Sequence, residues 1–533
     1  MINHLLTVSD FYPYLLGLCA LALVARLLHN KYGHGIHHLP GPRLAAYTDL
    51  WRLWVVWRRR PEQVHIALHE KYGSLVRLGP KAVSISDPEA IKTIYALNSG
   101  FVKSDFYPVQ QSIAKGRPLP SLFNTTDEKY HAKLRRAVAN AYTMSTLVQF
   151  EPLVDSTTRA FLDQLTRRYA DCDDDSGICD FGTWLQYYAF DVIGELTFSK
   201  RLGFVDRGVD VDSIIANVEW ALGYFSVVGQ IPILDRVFLK NPIRLWLTKI
   251  GLLNATSPVV VFTRKRMADR ADALKEKHDE SRAARRDFLS RFIESHHKDP
   301  EFITPERVLS LAASNVFAGS DTTAISLRAI FYFLLRNPSK QQKLMDEFRR
   351  MEEAGVFHPD DPLVKWNDVR DLPYLSAVIK EALRCHPAVG LPLERIVPAA
   401  GVTVAGQFLP GGTNVGCSAW TVHRDKNIFG PDPDVFRPER WIEASGAKQS
   451  EMNGYLFAFG AGARTCSGKN ISLLEMHKLV PAVLRSFEIS FAYPEREWKL
   501  HNAWFVKQSE FYVRFKSRKR HERENRTTAL AES

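Results

Sequence analysis

One stretch sets the scale of any fold this chain can adopt. From Thr304-Pro305 to Arg336, just before Pro338, apolar residues recur with helical period. Thr is a favoured N-cap and Pro is tolerated at the first helical position, so the start is well marked. A helix of roughly 30 residues is about 45 Å long. Burying such a rod takes a large, mainly helical domain, and 533 residues with 45% hydrophobic side chains supply one. The middle of the stretch reads Ala318-Gly319-Ser320-Asp321-Thr322-Thr323. Gly costs about 1 kcal/mol relative to Ala in a helix interior. Ser and Thr hydroxyls bond back to the preceding turn and bend the rod. The segment reads either as a tolerated kink or as a widened groove in which Asp321 and Thr322 move protons.

A second stretch carries sharper chemistry. Phe459-Gly460-Ala461-Gly462-Ala463-Arg464-Thr465-Cys466-Ser467-Gly468 precedes a helical pattern that begins near Lys469. Cys466 therefore lies just before a helix N-terminus, where unpaired N–H groups and the helix dipole favour a thiolate. The thiolate is the form of Cys that binds metal. Gly462 and Gly468 allow tight turns and close approach by a flat cofactor. Arg464 can pair with a cofactor carboxylate, and Phe459 supplies an aromatic wall. A buried structural Cys in a glycine-rich turn is the plain alternative.

Around these stretches the pattern is mainly α with small β-sheets. Residues 74–87 read as a hairpin about Gly79-Pro80. Helical patterns cover residues 128–142, 151–169, 181–196 and 260–296, with strands near 402–415 and 510–515. Residues 516–533 are polar and charged, the composition of a disordered tail. Six irregularly spaced cysteines argue for a reducing compartment rather than a disulfide framework.

Residues 11–25 carry no charge, and Leu27 and Leu28 extend the apolar run close to the length that spans a bilayer. A cleaved signal peptide is the competing reading. Arg26 and Lys31 follow the run and no basic segment precedes it, which favours an uncleaved anchor with the rest of the chain in the cytosol. Leu39-Pro40-Gly41-Pro42 makes a stiff hinge after it. Residues 51–60 read as an interfacial helix or as an ordinary amphipathic one. His34, His37 and His38 read as a solvated linker more readily than as metal ligands. The net charge of +11 admits nucleic acid, anionic lipid or an acidic protein. Without zinc-finger spacing or basic–aromatic repeats, nucleic acid is not expected.

The pattern F-x-x-G-x-R-x-C-x-G at residues 459–468 resembles the haem-binding loop of the cytochrome P450 family. The Ala318–Thr323 stretch resembles the oxygen-activation helix of that family. Glu381-Ala382-Leu383-Arg384 with Arg440 resembles its Glu–Arg–Arg triad. Arg395 sits in a segment like one that reaches a haem propionate, and His131 and Arg135 stand where many members have W-x-x-x-R. Residues 102–107 and 127–131 look like the pisatin-demethylase-like branch from filamentous fungi, whose members commonly serve secondary metabolism.

The resemblance implies the cytochrome P450 fold behind a single N-terminal transmembrane helix. Residues 1–30 would be the anchor, 31–50 the hinge, 51–515 the catalytic domain and 516–533 the tail. It implies haem b (iron protoporphyrin IX) on Cys466, proton delivery by Asp321 and Thr322, and a structural triad of Glu381, Arg384 and Arg440. The pocket walls would come from residues 112–123, 220–228, Phe317, 389–393, Trp504 and Phe505. It further implies O2, an apolar small substrate and electrons from NADPH through NADPH–cytochrome P450 reductase, since the chain has no nucleotide fingerprint of its own. The location implied is the endoplasmic reticulum membrane, with the catalytic domain in the cytosol. A haem-thiolate isomerase or peroxygenase, and a non-enzymatic membrane haem-binding protein, are the alternatives.

Overall fold

The structure is a computed structural model that describes residues 8–276 and 287–518. Helix α1 (Val8–Tyr32) is tied to the rest at its last turn, where Arg77 donates to the Asn30 and Lys31 carbonyls at 2.7 and 3.0 Å. Its Tyr12–Tyr32 portion has a mean hydropathy of 1.5 and none of it is buried, consistent with a membrane anchor. Helix α2 (Leu50–Trp57) turns Val55 and Val56 inward, while Trp54 and Trp57 stand outward.

The sequence-predicted hairpin forms from β1 (Leu75–Arg77) and β2 (Ala82–Ile85). With β3 (Val102–Lys103), β4 (Arg395–Ile396) and β5 (Asn414–Cys417) it makes a five-stranded sheet of order β1-β2-β5-β4-β3. Only β2 and β5 run parallel in it. This sheet flanks a helical body.

The body comprises α3 (Glu128–Val138), α4 (Glu151–Arg168), α5 (Phe181–Phe198), α6 (Ile214–Val228), α7 (Pro258–Glu276) and α8 (Phe288–Lys298). It continues with α9 (Pro305–Gly319), α10 (Asp321–Arg336), α11 (Pro373–Cys385) and α12 (Lys469–Ser486). Helix α5 is buried almost all round, as a central core helix must be, and it packs along α10. Near the C-terminus, β6 (Lys499–Ala503) and β7 (Phe505–Ser509) form a hairpin that the sequence pattern did not announce. Trp504 joins its strands with φ +79°, a conformation that hides the alternation on which a strand reading depends.

The long rod is present, but as α9 and α10 meeting at Ser320, which keeps a helical φ of −86° and ψ of −59°. The distortion has local causes. Ser320 donates to the Val316 carbonyl at 3.0 Å and Thr322 to that of Ala318 at 2.9 Å.

Two sequence boundaries need correction. The single helix expected over 260–296 is two helices, α7 and α8, and residues 277–286 lie outside those described. Asp287 starts the second one by accepting the Ser290 N–H at 2.7 Å as N-cap. The last strand is Tyr512–Ser517, so Lys516 and Ser517, assigned to the tail, pair instead with Glu488 and Phe487. Residues 519–533 of the expected tail lie outside the described residues.

Candidate active site

A cavity of about 310 Å³ lies between the α9–α10 junction and the loop before α12. Gly319, Thr322 and Thr323 line one side, and Phe459, Cys466 and Gly468 another. The loop closes on itself: the Cys466 N–H donates to the Phe459 carbonyl at 2.9 Å and the Thr465 N–H to that of Gly462 at 3.1 Å. Gly462 is required, because its φ is +63° and a Cβ there would lie 1.7 Å from the Tyr95 carbonyl oxygen. Gly468 is different. A Cβ there would meet only Cys466 Sγ and Ile471 Cδ1, each at 3.9 Å, so the space beside the sulfur is free of protein.

Cys466 counts as exposed although it sits deep in the chain, because the surface it presents is the cavity wall. Burial pushes its thiol up from the usual range, and the N–H groups of Gly468 and Lys469 and the charge of Arg135 only partly offset this. The helix terminus acts in the expected direction, since the Gly468 and Lys469 N–H groups both favour the thiolate against burial.

One rim of the cavity gathers Lys103, His131, Arg135, Arg395 and Arg464. Arg464 already holds Glu128, through Nη2 at 2.6 Å and Nε at 3.1 Å. Its expected role toward a cofactor carboxylate is thereby shared with a protein carboxylate. Arg135 donates to the Thr465 carbonyl at 3.0 Å and ties α3 to the cysteine loop. His131 is kept neutral, its pKa pushed down to about 3 by burial and by the cations Arg464, Lys103 and Arg135 around it.

Lys103 and Arg395 are direct cross-strand partners in the β3–β4 pair. They are 4% and 5% exposed, and among the described residues neither forms a salt bridge with a carboxylate. Lys103 donates to the Phe123 carbonyl, and Arg395 to the Glu394 carbonyl at 2.8 Å and the Tyr107 hydroxyl at 3.3 Å. Like charges facing each other in a sheet are destabilising, and burial drives the Lys103 amine well below its usual range. A rim so built fits an anionic group seated in the cavity. Together with the free space beside Cys466, it fits a flat cofactor that carries carboxylates.

The acid and the alcohol of α10 diverge. Thr322 lines the cavity. Asp321, 4% exposed, instead turns toward α5 and accepts a hydrogen bond from Gln186 Nε2. Thr323, not singled out from sequence, bridges to Ser472 of α12 at 2.5 Å. Ser472 is buried there, while Asn470 Nδ2 donates to the Tyr142 carbonyl at 3.0 Å.

Beneath α11 the three triad residues meet. Arg384 Nη2 lies 2.8 Å from Glu381 Oε1, and Arg440 Nε lies 2.9 Å from the same oxygen. Trp441 Nε1 donates to the other oxygen at 2.8 Å. All three are buried. Removing one partner of such a network costs about 3–5 kcal/mol, because it strands a buried charge. None of the three lines the cavity, which fits a structural role.

Of the expected walls, Leu119, Phe123, Phe317, Val389, Trp504 and Phe505 line the cavity. Residues 220–228 do not: Trp220 is 61% exposed and stacks on Tyr224. Ile193 of α5 and Val260 of α7 take that side. Among the described residues no cluster of His, Cys, Asp and Glu is arranged to hold a metal ion, His34, His37 and His38 included. Lys103 and Gln186 were not identified as site residues from sequence. Each matters only through a partner distant in the chain, a signal that one sequence does not carry.

A family model described as Cytochrome P450 matches residues 44–514. A cytochrome P450 monooxygenase of Aspergillus terreus is 45% identical over 454 residues, which cover 85% of this chain and 90% of the relative. The cytochrome P450 monooxygenase cicH of Emericella nidulans is 42% identical, with 91% and 94% covered. The cytochrome P450 monooxygenase mpaDE of Penicillium brevicompactum is 40% identical over 92% of this chain and 56% of its own length.

Proposed function

The chain belongs to the cytochrome P450 family, and from that premise we propose that Cys466 is the thiolate ligand of its haem iron and that the cavity takes an apolar small molecule for oxidation. Membership makes it a haem-dependent monooxygenase that uses O2, a redox partner and an organic substrate. Thiolate-ligated haem, when bound, supplies the activation of O2 and the transfer of one oxygen atom to substrate.

The chain's own residues do the rest. The cysteine loop presents the sulfur, with Phe459 beside it and Gly468 leaving room. Lys103, His131, Arg135, Arg395 and Arg464 would hold the carboxylates of the cofactor, and His131 would do so as a neutral donor. Thr322 offers a hydroxyl at the cavity wall for proton transfer, and Asp321 is the acid that replenishes it. Phe123, Phe317, Val389 and Trp504 exclude water and favour an apolar substrate. The reaction is a hydroxylation, epoxidation or demethylation in fungal secondary metabolism. Electrons come from NADPH through NADPH–cytochrome P450 reductase, and the net charge of +11 suits docking to an acidic partner. The anchor α1 lies in the endoplasmic reticulum membrane with the catalytic domain in the cytosol, a reading supported by Arg26 and Lys31 after the apolar run.

One observation carries this reading: the Cys466 sulfur, the Thr322 side chain and a cationic rim short of anions line a single cavity. The test is Cys466→Ala. The reduced wild-type protein under carbon monoxide should show the thiolate-type Soret band, and the variant should lose it. Retention of that band in the variant would refute the assignment.

A further inference from the structure

Asp321 is the acid of the proposed delivery pair, yet its carboxylate is withdrawn from the cavity. It lies in the seam between α5 and α10, where Gln186 Nε2 donates to Oδ1. Gln186, 2% exposed, is itself held: Arg328 Nη2 donates to its Oε1 at 3.1 Å, and Arg328 Nε donates to the Gly182 carbonyl at 2.8 Å. The order is carboxylate, neutral amide, guanidinium. The amide sends its N–H toward Asp321 and its oxygen toward Arg328, so its orientation is fixed from both sides.

We infer that Gln186, anchored by Arg328, is a positioning residue for proton delivery: it holds the Asp321 carboxyl in the α5–α10 seam, behind the cavity wall that Thr322 lines, and keeps it available for transfer. This rests on the reading of Asp321 as the acid. A guanidinium set directly against a buried carboxylate locks it in the ionised form. A neutral amide fixes the same geometry without doing so. The charged groups that face Asp321 are Arg328 on α10, Lys507 on β7 and Glu219 on α6. Lys507 and Glu219 pair with each other, which offsets much of the Lys507 charge. Burial then dominates, and the Asp321 carboxyl is pushed up from its ordinary range. That pair is partly open to solvent, its side chains being 28% and 43% exposed.

The experiment uses the full-length holoprotein with Gln186→Leu, Gln186→Glu and Asp321→Asn. Gln186→Glu, ionised against Arg328, keeps the shape and the acceptor while replacing the donor to Asp321 by a second carboxylate, whose own band is removed by subtracting the Gln186→Glu/Asp321→Asn double variant. Every sample must first form the thiolate-type carbon monoxide band. The protonated-carboxyl infrared band of Asp321 is isolated by subtracting the Asp321→Asn spectrum, and its loss is followed with pH. Both Gln186 variants should move its midpoint upward by roughly one pH unit, because the N–H that stabilises the ionised form is gone.

The second readout needs no substrate. With a flavin reductase and NADPH, O2 leaves as hydrogen peroxide (O2 + NADPH + H+ gives H2O2 and NADP+) or as water (O2 + 2 NADPH + 2 H+ gives two H2O and two NADP+). Poorer proton delivery should raise the peroxide formed per NADPH at least twofold in all three variants. An infrared midpoint unmoved in both Gln186 variants overturns the positioning role. An unchanged peroxide yield in Asp321→Asn overturns the reading of Asp321 as the acid, and does so independently of the infrared result.

Discussion

The charge on Lys103 is the least economical feature of the polypeptide taken by itself. A buried amine faces a buried guanidinium across two strands, and its hydrogen bond goes to a main-chain carbonyl. The Tyr107 and Phe123 rings, 4.1 and 4.3 Å from the amine, offset part of the cost, and an arriving anion would offset the rest. Two opposite effects of Lys103→Met follow. Without haem, the variant should be more stable than wild type by on the order of 1 kcal/mol, since a repulsive pair is removed and an apolar stem replaces the amine. With haem, it should lose the cofactor several-fold faster to apomyoglobin used as an acceptor. Urea unfolding of the apoprotein and the haem-transfer rate measure the two effects. A variant destabilised in both forms would mean that Lys103 is simply structural. The contrast with Cys466 shows what a sequence exposes at this scale. The cysteine loop is legible because its requirements are local: a φ of +63° at Gly462, a closing bond from Cys466 to Phe459, a helix just beyond. The Lys103–Arg395 opposition is illegible because β3 and β4 meet only after folding.

Between elements, His423 does what no local pattern announces. It is fully buried and joins α11 to the segment that leads into the cysteine loop. Its Nε2 faces the Phe457 N–H at 2.8 Å and must accept, so Nδ1 carries the proton and donates to the Arg384 carbonyl at 3.0 Å. A second proton on Nε2 would set donor against donor. Burial accordingly pushes the His423 pKa down to about 3. The unfolded chain takes up this proton near pH 6.5 and the folded chain does not. The stabilisation is therefore complete above that pH and is lost as pH falls from about 6.5 toward 3, at up to about 1.4 kcal/mol per unit. His423→Gln retains a donor and an acceptor but not the titration. The stability gap between wild type and this variant, from urea curves at pH 7, 6 and 5, should shrink by about 1 kcal/mol per unit in the lower part of that range. A gap independent of pH would sink the assignment. Helices were legible where apolar period and caps agree, as for α4 and α5. They were misjudged where tertiary contacts decide: Asp287, an N-cap that also holds Arg270 at 2.7 Å, restarts a helix that charge alternation made look continuous.

At the scale of the whole molecule, one side is too apolar for water. Trp54 and Trp57 on α2 are 52% and 60% exposed, and Trp220 on α6 is 61% exposed. Beyond α6, Ile233, Phe238, Ile243, Trp246 and Leu252 are all exposed as well. The α2 and α6 regions are joined by Arg52, which donates to Gln230 just past α6 at 3.0 and 2.9 Å, and by Arg59 just past α2, which reaches Ser226 at 3.1 Å, so these groups are neighbours. The sequence offered two readings of residues 51–60, interfacial helix or ordinary amphipathic helix; α2 is amphipathic, burying Arg52 and its valines while presenting its tryptophans, and only a binding experiment separates the two. Exposed apolar side chains in such number mark an interaction site, and the apolar helix α1 makes lipid the partner to test. A protein lacking residues 1–32 should then still sediment with vesicles. The net charge of +11 offers a rival cause, attraction to anionic headgroups. The two separate cleanly, because raising ionic strength from about 0.1 M to 1 M shortens the Debye length from about 10 Å to 3 Å and leaves apolar insertion intact. Binding to neutral phosphatidylcholine vesicles in 1 M salt should therefore persist for the truncated protein. It should weaken at least tenfold when Trp220, Phe238 and Trp246 are all changed to Ser, given about 1.5–3 kcal/mol for each large side chain withdrawn from water. Sedimentation with anionic vesicles alone, abolished by salt, would assign the association to charge and leave the apolar side to another partner.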